Sequence, residues 1–132
     1  MKAFLTKLYS GKLFPLGWTL LTITLLCLPG SAIPSAGIFA INGLDKIVHF
    51  VLFGGIVLLW GLYARKAYPY TEWVRKMLWA TLFSIGLGIG LEYVQRYFIP
   101  NRTFDLYDIL ADATGAVTIF LLLISTGKKK PL

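Results

Sequence analysis

The chain has 132 residues, of which 57% are hydrophobic and 14% charged, whereas soluble globular domains carry about 25% charged residues. Such a composition leaves too little polar surface for a water-soluble globule and fits a single small membrane domain over residues 1–132. The net charge of +7 does not imply a nucleic-acid partner, because the cations gather between apolar runs rather than along a phosphate-binding face. A lone cysteine, Cys27, excludes an intramolecular disulfide.

Apolar segments lie at about residues 13–29, 46–64, 77–98 and 107–125, close to the roughly 20 residues needed to cross a bilayer. Backbone polar groups must be paired in lipid, so the segments should be helices and the fold an all-α, four-helix transmembrane bundle. The first segment follows Lys2, Lys7 and Lys12 and precedes the small residues of 31–36, which also fits a signal peptide. Retention is favoured because no soluble domain follows; cleavage would leave three helices.

A connection rich in Gly, Pro, Ser and Ala spans Pro29 to Leu44. The second segment opens with Asp45, placed as a helix N-cap, and carries Lys46 and His49 on one helical face. Trp60, Tyr63, Tyr68, Tyr70, Trp73 and Trp79 bracket the second and third segments as interfacial aromatics do. In the third, Gly86, Gly88 and Gly90 sit inside an apolar helix without the strand that a dinucleotide loop requires. Gly86 and Gly90 form instead a small-xxx-small spacing, echoed by Ser84 and Gly88, that lets neighbouring helices approach closely, with Gly54, Gly55, Gly115 and Ala116 able to supply matching surfaces. Glu92, Gln95 and Arg96 follow, and Pro100 ends the helix. Asp105 is placed to cap the fourth helix, on which Asp108, Asp112 and Gly115 share its face.

Ten of the 13 cations lie in the N-terminal tail, the loop between the second and third segments and the C-terminal tail. By the positive-inside rule both termini are expected in the cytoplasm. Five of the six acids, all but Glu72, then lie toward the outer face.

Ionisable side chains within a bilayer cost a few kcal/mol or more, on the order of 3 in insertion measurements, and usually face a protein interior. Asp45, Lys46, Arg102 and Asp105 are near enough to segment ends to snorkel or cap. Glu92 and Asp112 lie deeper, and with His49 they serve either as structural ion pairs or as a site. Chemistries that fit are a divalent metal held by His49, Glu92, Asp108 and Asp112, a weak signal without a metal-ligand spacing; acid–base catalysis on a lipid-linked substrate; proton relay through Glu92 in a small transporter; and binding of an amphiphile's headgroup. The last demands no special reactivity and is preferred, with no cofactor required and self-association open to the small-residue faces.

Residues 45–50 (DKIVHF), Glu92-Tyr93-Val94-Gln95 and the run from Pro100 to Gly115 resemble the VanZ-like family of small bacterial membrane proteins. The resemblance covers about residues 45–122 and places Asp45, Lys46, His49, Glu92, Gln95, Arg102, Asp105, Asp108 and Asp112 at the family's polar positions. Asp112 is a departure, since members commonly carry asparagine there. The resemblance implies a four-helix protein of the bacterial cytoplasmic membrane, whose namesake lowers susceptibility to teicoplanin. It implies no particular reaction.

Overall fold

A computed structural model describes residues 11–127. It contains four helices, α1 (Leu13–Leu26), α2 (Leu44–Ala67), α3 (Tyr70–Phe98) and α4 (Leu106–Thr126), and no strand among the described residues. Prolines set two of the boundaries. Tyr68, held extended ahead of Pro69, stops α2, and Ile99, extended ahead of Pro100, stops α3.

The helices α2, α3 and α4 are long and apolar enough to cross a membrane, so the chain is a membrane protein with several spans. Helix α1 falls short of the expected first span: its 14 residues reach about 21 Å, against a hydrocarbon core of about 30 Å. Beyond it the chain turns through two short 3-10 segments, Gly30–Ala32 and Gly37–Ala40, before α2. Helix α3 begins earlier than its apolar run, so Arg75 and Lys76 lie on the helix rather than in a loop. Lys2, Lys7 and Lys128 to Lys130, half of the cations behind the orientation argument, lie outside the described residues. The others, Lys12, Arg65, Lys66, Arg75 and Lys76, share one end of the bundle.

The burial pattern inverts that of a soluble bundle. Thr22, Ser84, Glu92, Gln95 and Asp112 are buried, whereas Leu20, Leu82, Phe83, Leu110, Leu121 and Leu122 are exposed. Lipid is as apolar as these side chains, so helices associate through close packing and internal polar contacts rather than hydrophobic exclusion.

Two such contacts bring α2 against its neighbours. Gly115 of α4 sits on the Phe50 backbone, where an added Cβ would collide with the Phe50 carbonyl oxygen, and Gly54 faces Gly115 in turn. On the other side, Ser84 Oγ donates to the Phe53 carbonyl at 3.1 Å. Gly88, beside it on α3, faces Asp112. The expected Gly86–Gly90 contact is not formed, because both point outward with nothing among the described residues within 4 Å of the place a Cβ would occupy; the Ser84–Gly88 pair packs instead.

Tryptophans fasten the remaining contacts. The Trp18 indole lies on Gly55 and donates to the Leu52 carbonyl at 2.9 Å, while Trp60 donates to Thr19 Oγ1 at 3.1 Å. Trp73 is a core residue instead of an interfacial one: it is buried and donates to the Gly61 carbonyl at 2.9 Å. Around it Val57, Ala64, Met77, Ala116 and Leu123 fill the cationic end of the bundle. Phe53, Ile56, Leu52, Leu91 and Leu26 fill the opposite half, directly beneath the polar residues.

Candidate functional site

Helix α2 starts at Gly43, whose left-handed φ of 81° suits glycine, and its first residue is Leu44. Asp45 is therefore inside the first turn and is not the expected N-cap; it approaches Lys46 instead. Asp105 is the N-cap of α4, its side chain accepting from the Tyr107 N–H at 2.8 Å. That cap places Asp108 and Asp112 one and two turns into α4, on the face turned to α2.

Lys46 gathers three carboxylates. Its Nζ lies 2.6 Å from Asp45 Oδ2, 2.5 Å from Asp105 Oδ2 and 2.7 Å from Asp108 Oδ1. One turn deeper, His49 Nδ1 lies 2.8 Å from Asp112 Oδ1, and its Nε2 lies 3.6 Å from Asp108 Oδ2. The imidazole stacks on Phe53 with ring centroids 6.2 Å apart. Glu92 comes from α3 and accepts the Asp105 N–H at 2.8 Å on Oε2, so one of its oxygens fastens the start of α4. Its other oxygen, Oε1, is buried without a hydrogen-bond partner among the described residues, as is Asp112 Oδ2. Gly88 leaves room for that Asp112 oxygen, which would lie 2.6 Å from a Cβ there.

Electrostatically the cluster is short of positive charge. Asp45, Glu92, Asp105, Asp108 and Asp112 face Lys46 and the single histidine. At its rim, outside the helices, the Lys46 ammonium and the Tyr107 N–H hold the Asp105 carboxyl below its usual range. The deeper members have little water to screen them: Glu92 and Asp112 are each 1% exposed and His49 is 4% exposed.

Other expected site residues lie outside the carboxylate cluster. Gln95 donates to the Leu26 carbonyl at 2.8 Å and ties α3 to the end of α1. Arg102 donates through Nε to the Leu28 carbonyl at 3.2 Å, which positions the α3–α4 connection over α1. Arg96 is not brought into the cluster, because it lies on the exposed side of α3 with its guanidinium over the Tyr97 ring at 5.3 Å. Of the four metal-ligand candidates, His49, Glu92 and Asp108 bring donor atoms within 4.8 Å of one another, while Asp112 Oδ1 is the histidine's partner.

A groove of about 340 Å³ opens beside His49. Leu28, Ile33, Phe39, Val48 and Leu52 make its apolar walls, and Asp45, His49 and Arg102 supply its polar positions. Ile33 and Phe39 belong to the segment read from sequence as a plain connection. Their signal was the presence of Ile33, Ile38, Phe39 and Ile41 in a stretch that would otherwise be polar, since apolar side chains in a connection need a surface to cover.

This arrangement has relatives. No solved structure matches the chain. An uncharacterised protein of Schizosaccharomyces pombe is 34% identical over 90 residues, covering 65% of this chain and 50% of that protein. The chain thus spans about half the length of that curated relative. The profile described as VanZ/LLP1 matches residues 6–126, taking in α1 as well as the polar helices, and the chain belongs to this family.

Proposed function

We propose that the protein binds an amphiphilic or lipid-linked molecule at the outer leaflet of a bacterial cytoplasmic membrane, and that this lowers susceptibility to teicoplanin-type glycopeptides. The groove beside His49 carries the reading, because it joins apolar walls to Asp45, His49 and Arg102 at one end of the bundle. An acyl tail would lie against Ile33, Phe39 and Val48, and the head would meet charged groups that can bind ions of either sign. The described cations Lys12, Arg65, Lys66, Arg75 and Lys76 lie at the opposite end, which supports cytoplasmic termini and an outward-facing groove.

A second reading, a membrane-embedded enzyme acting on lipid-linked headgroups, is favoured by one observation. The His49–Asp112 contact of 2.8 Å is the arrangement in which a carboxylate orients an imidazole for proton transfer. A proton-coupled transporter receives less support, since Phe53, Ile56 and Val57 are fully buried and fill the interior below the cluster.

Binding tests the first reading. Teicoplanin, which has an acyl tail, and vancomycin, which has none, would be titrated against the protein in lipid nanodiscs. The proposal expects saturable binding of teicoplanin only, weakened at least tenfold by Val48→Trp, which fills the groove. Equal binding of both compounds, or an unchanged affinity in the variant, would refute it.

A further inference from the structure

We propose that His49 Nε2, Glu92 and Asp108 bind one divalent transition-metal ion, zinc or manganese, with Asp112 as the positioning residue of the histidine. The site is drawn from three helices: His49 from α2, Glu92 from α3 and Asp108 from α4. It stands independently of the amphiphile reading, which requires no ion.

Geometry is the first support. Donor atoms of the three residues all lie within 4.8 Å of one another. Around a single ion with bonds of about 2.1 Å, donors are about 3–4 Å apart, so small side-chain rotations would close the set. A second acidic group, Asp45, Asp105 and Asp108, does not compete, because the Lys46 ammonium already sits among its carboxylates.

The histidine is oriented as a ligand. With Asp112 ionised and the imidazole neutral, the 2.8 Å contact puts the proton on Nδ1 and leaves Nε2, 3.6 Å from Asp108 Oδ2, as the nitrogen that would ligate. Carboxylate–histidine–metal arrangements use this tautomer, and the outer carboxylate raises the basicity of the ligating nitrogen. Gly88 supports the same placement, for any side chain there would press on Asp112 Oδ2.

Unmet polar demand is independent of that geometry. Glu92 is 1% exposed, and its Oε1 has no hydrogen-bond partner among the described residues. Its other oxygen holds the Asp105 N–H, so Oε1 is the atom free to take an ion. Lys46 reaches Asp45, Asp105 and Asp108 but makes no ion pair with Glu92 or Asp112. Glu92 is therefore a buried carboxylate with no cation against it among the described residues, which is costly, and a divalent ion held between it and Asp108 would supply the missing charge. Imidazole and carboxylate donors together suit zinc or manganese better than calcium. The groove reaches the histidine end of the set.

The test uses full-length, tag-free protein in detergent, treated with EDTA and titrated with ZnCl2 and with MnCl2 by calorimetry. One equivalent of at least one metal is expected per chain, with a rise in unfolding temperature. His49→Ala and Glu92→Gln should weaken binding at least a hundredfold, and Asp112→Asn by about 10–100-fold. Glu72→Gln, an exposed acid at the other end, should leave it unchanged. Because His49 is the only histidine, ¹⁵N-histidine labelling of the unsubstituted protein gives a second readout that does not depend on variant folding. Zinc should shift the Nε2 resonance while Nδ1 keeps its proton. Absence of saturable binding of both metals, variants that bind as tightly as the parent, or an Nε2 resonance unmoved by a metal that binds would each overturn the proposal.

Discussion

Replacing Gly115 by alanine puts a methyl group onto the backbone of α2. The new carbon would lie 3.0 Å from the Phe50 Cα and closer still to the Phe50 carbonyl oxygen, whereas carbon–carbon contacts settle at about 3.5–4.0 Å. Helices α2 and α4 must therefore move apart by at least about 0.5 Å. Overpacking of this kind costs about 1–3 kcal/mol, partly offset by the helix propensity alanine gains over glycine, up to about 1 kcal/mol. A net loss of about 1–2 kcal/mol is expected. The same movement stretches the His49–Asp112 contact, now 2.8 Å, because His49 adjoins Phe50 and Asp112 is one turn from Gly115. Unfolding in mixed SDS micelles, followed by tryptophan fluorescence, measures the loss. Gly86→Ala is the control: nothing lies within 4 Å of the added carbon, so it should be neutral or stabilising by up to about 1 kcal/mol. Equal stability of the two variants would refute the close approach of α2 and α4.

Lys46→Met removes the cation shared by Asp45, Asp105 and Asp108. Its side chain is 31% exposed, so water screens part of the effect and the same unfolding assay should show a loss of about 1–3 kcal/mol rather than that of a fully buried pair. Asp105 has a depressed folded-state pKa, so its contribution is fully present above its unfolded value near 3.8 and is lost as pH falls through the lower folded value. Asp105→Asn keeps an N-cap acceptor but cannot titrate, so its unfolding temperature should fall less than the parent's as pH is lowered from about 5 to about 2. Trp73→Phe keeps most of the buried ring but loses the bond to the Gly61 carbonyl, and thermal unfolding should report a loss of about 1 kcal/mol.

Much of the fold was legible because its signals are local. Apolar length marked α2, α3 and α4, and the residues ahead of Pro69 and Pro100 end two of them as proline sterics require. Asp105 was recognisable as a cap for the same reason, whereas Asp45 was not one: Gly43 turns the chain early enough for the helix to start at Leu44. Helical spacing grouped Glu92 with both Gln95 and Arg96, which fall on opposite sides of its direction on the helix. Only packing decides between them, and it buries Gln95 against the end of α1 while leaving Arg96 outside. The alternating glycines posed a similar choice, settled when Gly88 rather than Gly86 or Gly90 met α4. The groove was not legible, since its wall combines α2 with Ile33 and Phe39 from an irregular segment whose path depends on long-range contacts, including the Gly30 N–H bond to the Pro100 carbonyl at 3.0 Å.

Photolabelling tests the central claim most directly, that an amphiphile occupies the groove beside His49. A teicoplanin-type probe with a diazirine in its acyl tail would be irradiated with the protein in vesicles, and the labelled residues identified by mass spectrometry. Labelling is predicted on Ile33, Phe39 and Val48 and should be displaced by excess teicoplanin, with Leu82 and Phe83 on the lipid-facing side of α3 labelled far less. Undisplaced labelling spread evenly over both sets of residues would contradict the account.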